Sequence, residues 1–113
     1  MSQILAKRQE EFLKTISNNH RLEMLKNLLR REMSVGSLAE QVGLSQSALS
    51  QHLSKLREQG LVTTRRDAQA IYYSCDDAGV VKIVSTLAEI FPNHAVKYSG
   101  DGHVVEPRHV SHK

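Results

Sequence analysis

The chain of 113 residues has one cysteine, two prolines, no tryptophan and no apolar run of 18 or more residues. A lone thiol, Cys75, cannot close an intramolecular disulfide, so the fold must stand on its core and fits a reducing compartment. Without a long apolar run, no membrane span is visible. No basic leader with an apolar stretch and a small-residue cleavage site is visible, so a cytoplasmic protein is expected. There is also no G-x-S-x-G elbow, no Gly-rich phosphate loop and no H-E-x-x-H pair, and an enzyme is not expected. No internal repeat is evident. What is present is a 40% hydrophobic composition, enough for one modest domain.

The net charge is only +3, but it is unevenly spread. Residues 45 to 66 hold Lys55, Arg57, Arg65 and Arg66 against Glu58, whereas residues 67 to 96 hold Lys82 against Asp67, Asp76, Asp77 and Glu89. A basic patch on one segment is the footprint expected of a polyanion partner, although a solvated helix face produces single clusters too.

Hydrophobic spacing orders the elements. Leu5, Phe12, Leu13 and Ile16 recur with a helical period, Asn18 and Asn19 break it, and Leu22, Leu25, Leu28 and Leu29 begin a second helix. Val35, Leu38, Ala39 and Val42 predict a short third helix, with Ser34 as N-cap and Gly43 as the left-handed residue that ends it. One residue, Leu44, then separates Gly43 from the next cap, Ser45. So tight a joint between two helices predicts a helix-turn-helix. The fourth helix is expected over about Gln46 to Gln59, stopped by Gly60. The period then alternates through Leu61–Arg66, turns at DAQA and returns at Ile71, Tyr72 and Tyr73, a β-hairpin. Asp76 and Asp77 can cap a last helix, apolar at Val80, Val81, Ile83, Val84, Leu87, Ile90 and Phe91 and halted by Pro92. The expected class is therefore mainly α with a β-hairpin, in the order of four helices, two strands and a helix. Residues 1–92 are expected to form this domain, and residues 93–113 a flexible tail holding His94, His103, His109 and His112.

The fourth helix raises a chemical question. Its Leu49, Leu53 and Leu56 share a narrow arc, and the arc leading away holds Ser47, Ser50, Gln51 and Ser54, where a solvated helix would usually carry Glu and Lys. A major groove suits such residues: Gln bonds bidentately to adenine, and Ser donates or accepts at base edges and phosphates. Lys55 and Arg57 flank the arc. The expected DNA contacts are Ser45, Gln46, Ser47, Ser50, Gln51, His52, Ser54, Lys55 and Arg57 on the helix, with Arg65, Arg66 and Gln69 on the hairpin. For His52, packing at the helix flank is the alternative.

The run SVGSLAEQVGLSQSALSQHLSKLREQGLV followed by TTRRDAQAIYYS resembles the ArsR/SmtB family of winged helix-turn-helix regulators, with LSQSALSQHLSKLR and RRDAQ closest to its branch of nodulation and hemolysin regulators. The resemblance implies a homodimer, joined through its first and last helices, that binds an inverted repeat in promoter DNA, most simply as a repressor. It also directs attention to sensing. Where many members place a pair of metal-binding cysteines in the third helix, this chain has Ser34 and Gly36. For a second metal site on the last helix, Asp77 matches, but Gly79, Ile90 and Asn93 stand at the ligand positions. Lys26 and Pro92 occupy the places of the paired thiols of redox-sensing relatives. No metal or other cofactor is therefore expected. Two alternatives stay open: a metal- or thiol-responsive sensor using the histidine tail or Cys75, and a winged-helix module that binds another protein.

Overall fold

Leucine and methionine at helical spacing are the side chains that leave water. Met24, Leu25, Leu38, Leu49, Leu56 and Val80 are wholly buried, and Leu28 and Leu53 nearly so. They come from four of the five helices in a computed structural model that describes residues 2–92, with the backbone of 97–98 and 104–105. The order is α1 (Ser2–Ile16), α2 (Asn19–Arg30), β1 (Met33–Ser34), α3 (Val35–Val42), α4 (Gln46–Glu58), β2 (Thr63–Asp67), β3 (Ala70–Ser74), α5 (Ala78–Ile90), β4 (Lys97–Tyr98) and β5 (Val104–Val105). The chain divides into two units, residues 1–81 and 82–113.

In the first unit, side-chain caps start the helices. Asn18 Oδ1 accepts from the Arg21 amide at 3.0 Å, so the asparagines that interrupt the apolar pattern begin α2 earlier than the leucine spacing suggests. Ser34 caps α3 and Ser45 caps α4, each accepting an amide at 3.2 Å, and Asp77 Oδ2 accepts from the Val80 amide at 3.0 Å to start α5. Gly43 ends α3 at φ 72°, where a Cβ would strain the backbone, and the Leu44 amide closes back on the Ala39 carbonyl at 3.0 Å. The caps at Ser34, Ser45 and Asp77 and the stop at Gly43 agree with the sequence reading, as does the helix-turn-helix they build.

The sheet differs from expectation in one respect. The hairpin is present, with Thr64 opposite Tyr73 and Arg66 opposite Ile71, and Leu61 and Val62 lead into it as buried residues outside the strand. A third strand, β1, joins the other edge of β3 and gives the order β1-β3-β2, all antiparallel. Two residues are too few to show a period, so β1 left no trace in the hydrophobic pattern. Its Met33 pairs with Tyr73, and both are buried, which fixes the face of the sheet turned to the core.

Cys75 follows β3 and is buried, and its amide donates to the Leu28 carbonyl at 3.3 Å. Burial pushes its thiol pKa up, against the thiolate that chemistry would need. At the start of α5, Gly79 lets the Phe12 ring of α1 approach to 3.3 Å from where a Cβ would stand.

The second unit comprises α5 from Lys82 onward and a two-stranded pairing of Lys97 with Val105 and Tyr98 with Val104. The helix was expected and the strand pair was not. The histidines at 94, 103, 109 and 112, and with them the tail reading, lie outside the described residues. None of the described helices is long and apolar enough to cross a membrane.

Candidate nucleic-acid interface

Helix α4 is anchored by three leucines. With Leu49, Leu53 and Leu56 at 0, 2 and 0% exposure, the helix cannot roll about its axis without exposing all three. Ser47, Ser50, Gln51 and Ser54 are exposed, as the spacing predicts, and so are Gln46, Lys55 and Arg57. Ser45 is also exposed, but its hydroxyl is engaged as the cap of α4 and lies 3.4 Å from the Ser47 hydroxyl. Lys55 and Arg57 occupy the last turn, where cations complement the helix dipole. Neither forms an ion pair among the described residues.

His52 differs from this set. It is half-buried, its ring centroid lies 5.5 Å from that of His20, and Arg21 Nη1 donates to its Nδ1 at 3.4 Å. Because a guanidinium can only donate, Nδ1 carries no proton. Burial lowers the His52 pKa, and its neighbours Arg21, His20 and Lys55 lower it further, so the ring is neutral near pH 7. Arg21 is itself held by the Thr15 carbonyl, at 2.8 Å from its Nε. From its place on α4, His52 is expected either to contact DNA or to pack at the helix flank. The partners seen here are those of packing between α2 and α4, and nothing in the spacing of α4 names His20 or Arg21 as those partners.

The hairpin is dressed differently. All of β2 is exposed. Arg65 Nε and Nη2 donate to the two carboxylate oxygens of Glu32 at 2.8 and 2.6 Å, Nη1 lies 3.9 Å from Asp67, and the guanidinium sits 4.9 Å from the centre of the Tyr72 ring. The hydrogen bond from Arg65 holds the Glu32 carboxyl below the usual range, and the same bond raises the Arg65 pKa. Both groups are ionised at any physiological pH. Arg66 forms no ion pair among the described residues. Gln69 is exposed in the two-residue turn, beside Ala68 at φ 59°, a conformation usually filled by glycine. In sequence, Arg65 and Arg66 are alike as expected DNA contacts, and Glu32, which lies 33 residues from Arg65, carries no signal of its own.

Among the described residues, no three His, Cys, Asp or Glu side chains gather as a metal site. What the arrangement can do is present neutral hydrogen-bonding groups on a fixed helix, bordered by cations and followed by an exposed β-ribbon. That is the composition of a duplex-reading surface.

Comparison with known proteins agrees. Residues 18–64 match the family described as "Bacterial regulatory protein, arsR family". Over 80 residues the chain is 59% identical to the nodulation protein NolR of Rhizobium meliloti, a match that covers 71% of this chain and 66% of that protein. The crystal structure of NolR from Sinorhizobium fredii superposes with a TM-score of 0.77 at 54% identity, covering 80% of this chain and 90% of that one. A further likeness, at TM-score 0.69 and 25% identity over 86% of this chain and 93% of the other, is to a homodimeric winged helix-turn-helix DNA-binding domain from Mycobacterium bovis, described as a possible ArsR-family transcriptional regulator. With its five helices, its helix-turn-helix and its three-stranded sheet ending in a wing, this chain belongs to the ArsR family of bacterial regulatory proteins.

Proposed function

We propose that the chain is a cytoplasmic transcriptional repressor that binds an inverted-repeat operator as a homodimer, with α4 in the major groove of each half-site. The observation that carries this reading is the outward face of α4: Ser47, Ser50, Gln51 and Ser54 exposed on a helix fixed by three buried leucines, beside the cations Lys55 and Arg57. Gln51 and Ser47, on the first two turns, are assigned to base edges. Ser45, Gln46, Ser50 and Ser54 are assigned to nearby bases or phosphates, and Lys55, Arg57, Arg66 and Gln69 to the backbone. A module built to bind protein would instead present apolar side chains on α4, and the exposed face has none.

The dimer rests on apolar surface. Helix α1 exposes Ile4, Leu5 and Leu13 by 65, 57 and 56%, and α5 exposes Val81 and Ile90 by 45 and 60%, followed by Phe91 at 71%. Large apolar side chains so exposed on two helices suit burial against a second copy. The homodimeric state described for the Mycobacterium bovis domain is consistent with this.

Selection of bound duplexes from a random pool, with sedimentation of the complex, tests both halves of the proposal. The expected result is a two-fold symmetric site bound by two chains, with half-sites spaced by about one helical turn or a multiple of it. A pool with no enriched sequence, or a monomer with full helix content at micromolar concentration, would overturn it.

A further inference from the structure

Arg65 and Arg66 are neighbours on one strand, and a strand sends neighbouring side chains to opposite faces. The register shows which is which. Arg66 stands opposite Ile71, while Arg65 stands opposite Tyr72, which in turn stands opposite Ser34 of β1. Arg65, Tyr72 and Ser34 therefore form one row across all three strands, on the face turned away from buried Met33 and Tyr73. Glu32, two residues before Ser34, belongs to the same face and closes the row with its bidentate bond to Arg65. The ion pair thus bridges the two outer edges of the sheet over the middle strand, with the Tyr72 ring beneath the guanidinium.

The hairpin needs such a tie. Backbone pairing with β1 involves only two residues of β3, near the root, and β2 buries none of its own residues. Of the hairpin's strand residues only Tyr73 is buried, and a ribbon with so little packed face is marginal in water and free to swing. A fork-to-fork guanidinium–carboxylate pair fixes distance and plane together.

We propose that Glu32 and Arg65 brace the wing against the strand that leads into the helix-turn-helix, so that Arg65 is a positioning residue and Arg66, on the other face, is the one that meets phosphate. This rests on the DNA-binding reading above and assigns Glu32 a part in operator recognition although its charge repels DNA. In the free protein Arg65 already has its anion, and a phosphate would have to displace a carboxylate bound through two hydrogen bonds.

Three variants separate a brace from a phosphate contact: Glu32→Gln, Arg65→Lys and their combination. Lysine keeps the charge a phosphate needs but cannot make the planar fork. The measurement is affinity for the selected operator and for unrelated duplex across a salt series. A brace predicts that each single variant lowers the ratio of operator to unrelated affinity by about threefold to tenfold, leaves the slope of log affinity against log salt unchanged, and adds little to the other in the double variant. A phosphate role for Arg65 predicts the reverse and would overturn the proposal: Glu32→Gln would tighten binding and steepen the slope by about 0.9 for each phosphate newly neutralised, and Arg65→Lys would stay close to the parent. Hydrogen exchange of the hairpin amides 63–74 without DNA gives an independent reading. Faster exchange in both single variants supports the brace, and unchanged exchange overturns it. If the parent protein itself selects no DNA, the functional reading fails and the exchange result still decides whether the brace exists.

Discussion

Helix α4 is fixed by what it buries, whereas the β2–β3 wing is fixed by interactions made across its own surface. Leu49, Leu53 and Leu56 tie α4 to a core shared with α2 and α3, and its outward residues bond to nothing the fold depends on. The wing buries little beyond Tyr73 and relies on pairs such as Arg65 with Glu32 and the hydroxyls of Thr63 and Ser74, 3.0 Å apart. A helix held from behind presents several side chains at set positions, as base reading demands. A ribbon held along one face can adjust to a backbone whose charge is the same at every step.

The sharpest way to break the comparison is to remove an anchor of α4. Leu53→Ala should lower unfolding stability by about 2 to 5 kcal/mol, because a buried side chain is lost and a cavity left behind. Denaturant unfolding should show this, with operator affinity falling more than affinity for unrelated DNA. If stability fell and operator preference survived intact, α4 would not be the reading element. Gln51→Ala removes a side chain from the other face of the same helix. It should cost roughly 1 to 3 kcal/mol on the preferred operator, and much less on unrelated duplex. Its unfolding curve should match the parent to within about 0.5 kcal/mol.

Arg66→Ala carries the comparison to the wing. All sequences should be weakened about equally, and the salt slope should become shallower by about 0.9 for each phosphate left without its cation, counted twice in a symmetric dimer. Relaxed preference at defined base positions with the slope intact would mean that the wing reads a groove. The smallest effect is expected at the tip. Ala68 holds φ 59°, so Ala68→Gly should raise stability by at most about 1 kcal/mol, relieved strain being partly offset by the greater freedom of glycine in the unfolded chain. Thermal unfolding measures this, and a lower midpoint would show that the alanine is at ease there.

The difference in how the two regions are held also explains what could be read from the sequence. Everything in α4 is local: Ser45 caps three residues ahead, Gly43 stops the helix before it, and the leucines recur at intervals a short window can show. In the wing the hairpin was legible from alternation and turn residues, but its supports were not. Met33 and Ser34 are too short a strand to show a period, and Glu32 meets Arg65 across 33 residues of chain. One signal was present: strict alternation places Arg65 and Arg66 on opposite faces, as the register shows. His52 is a similar case, since its partners His20 and Arg21 lie on another helix.

The separation of anchor and surface on α4 has an evolutionary consequence. Ser47, Ser50, Gln51 and Ser54 make no hydrogen bond to another element among the described residues, so replacing them changes stability by no more than about 0.5 kcal/mol each. The positions assigned to the operator can vary while the fold stays put. After gene duplication, two copies could drift to different operators through changes on this face alone, each intermediate remaining folded. The leucines behind it have no such freedom, and a lineage that lost one would lose the whole reading surface at once.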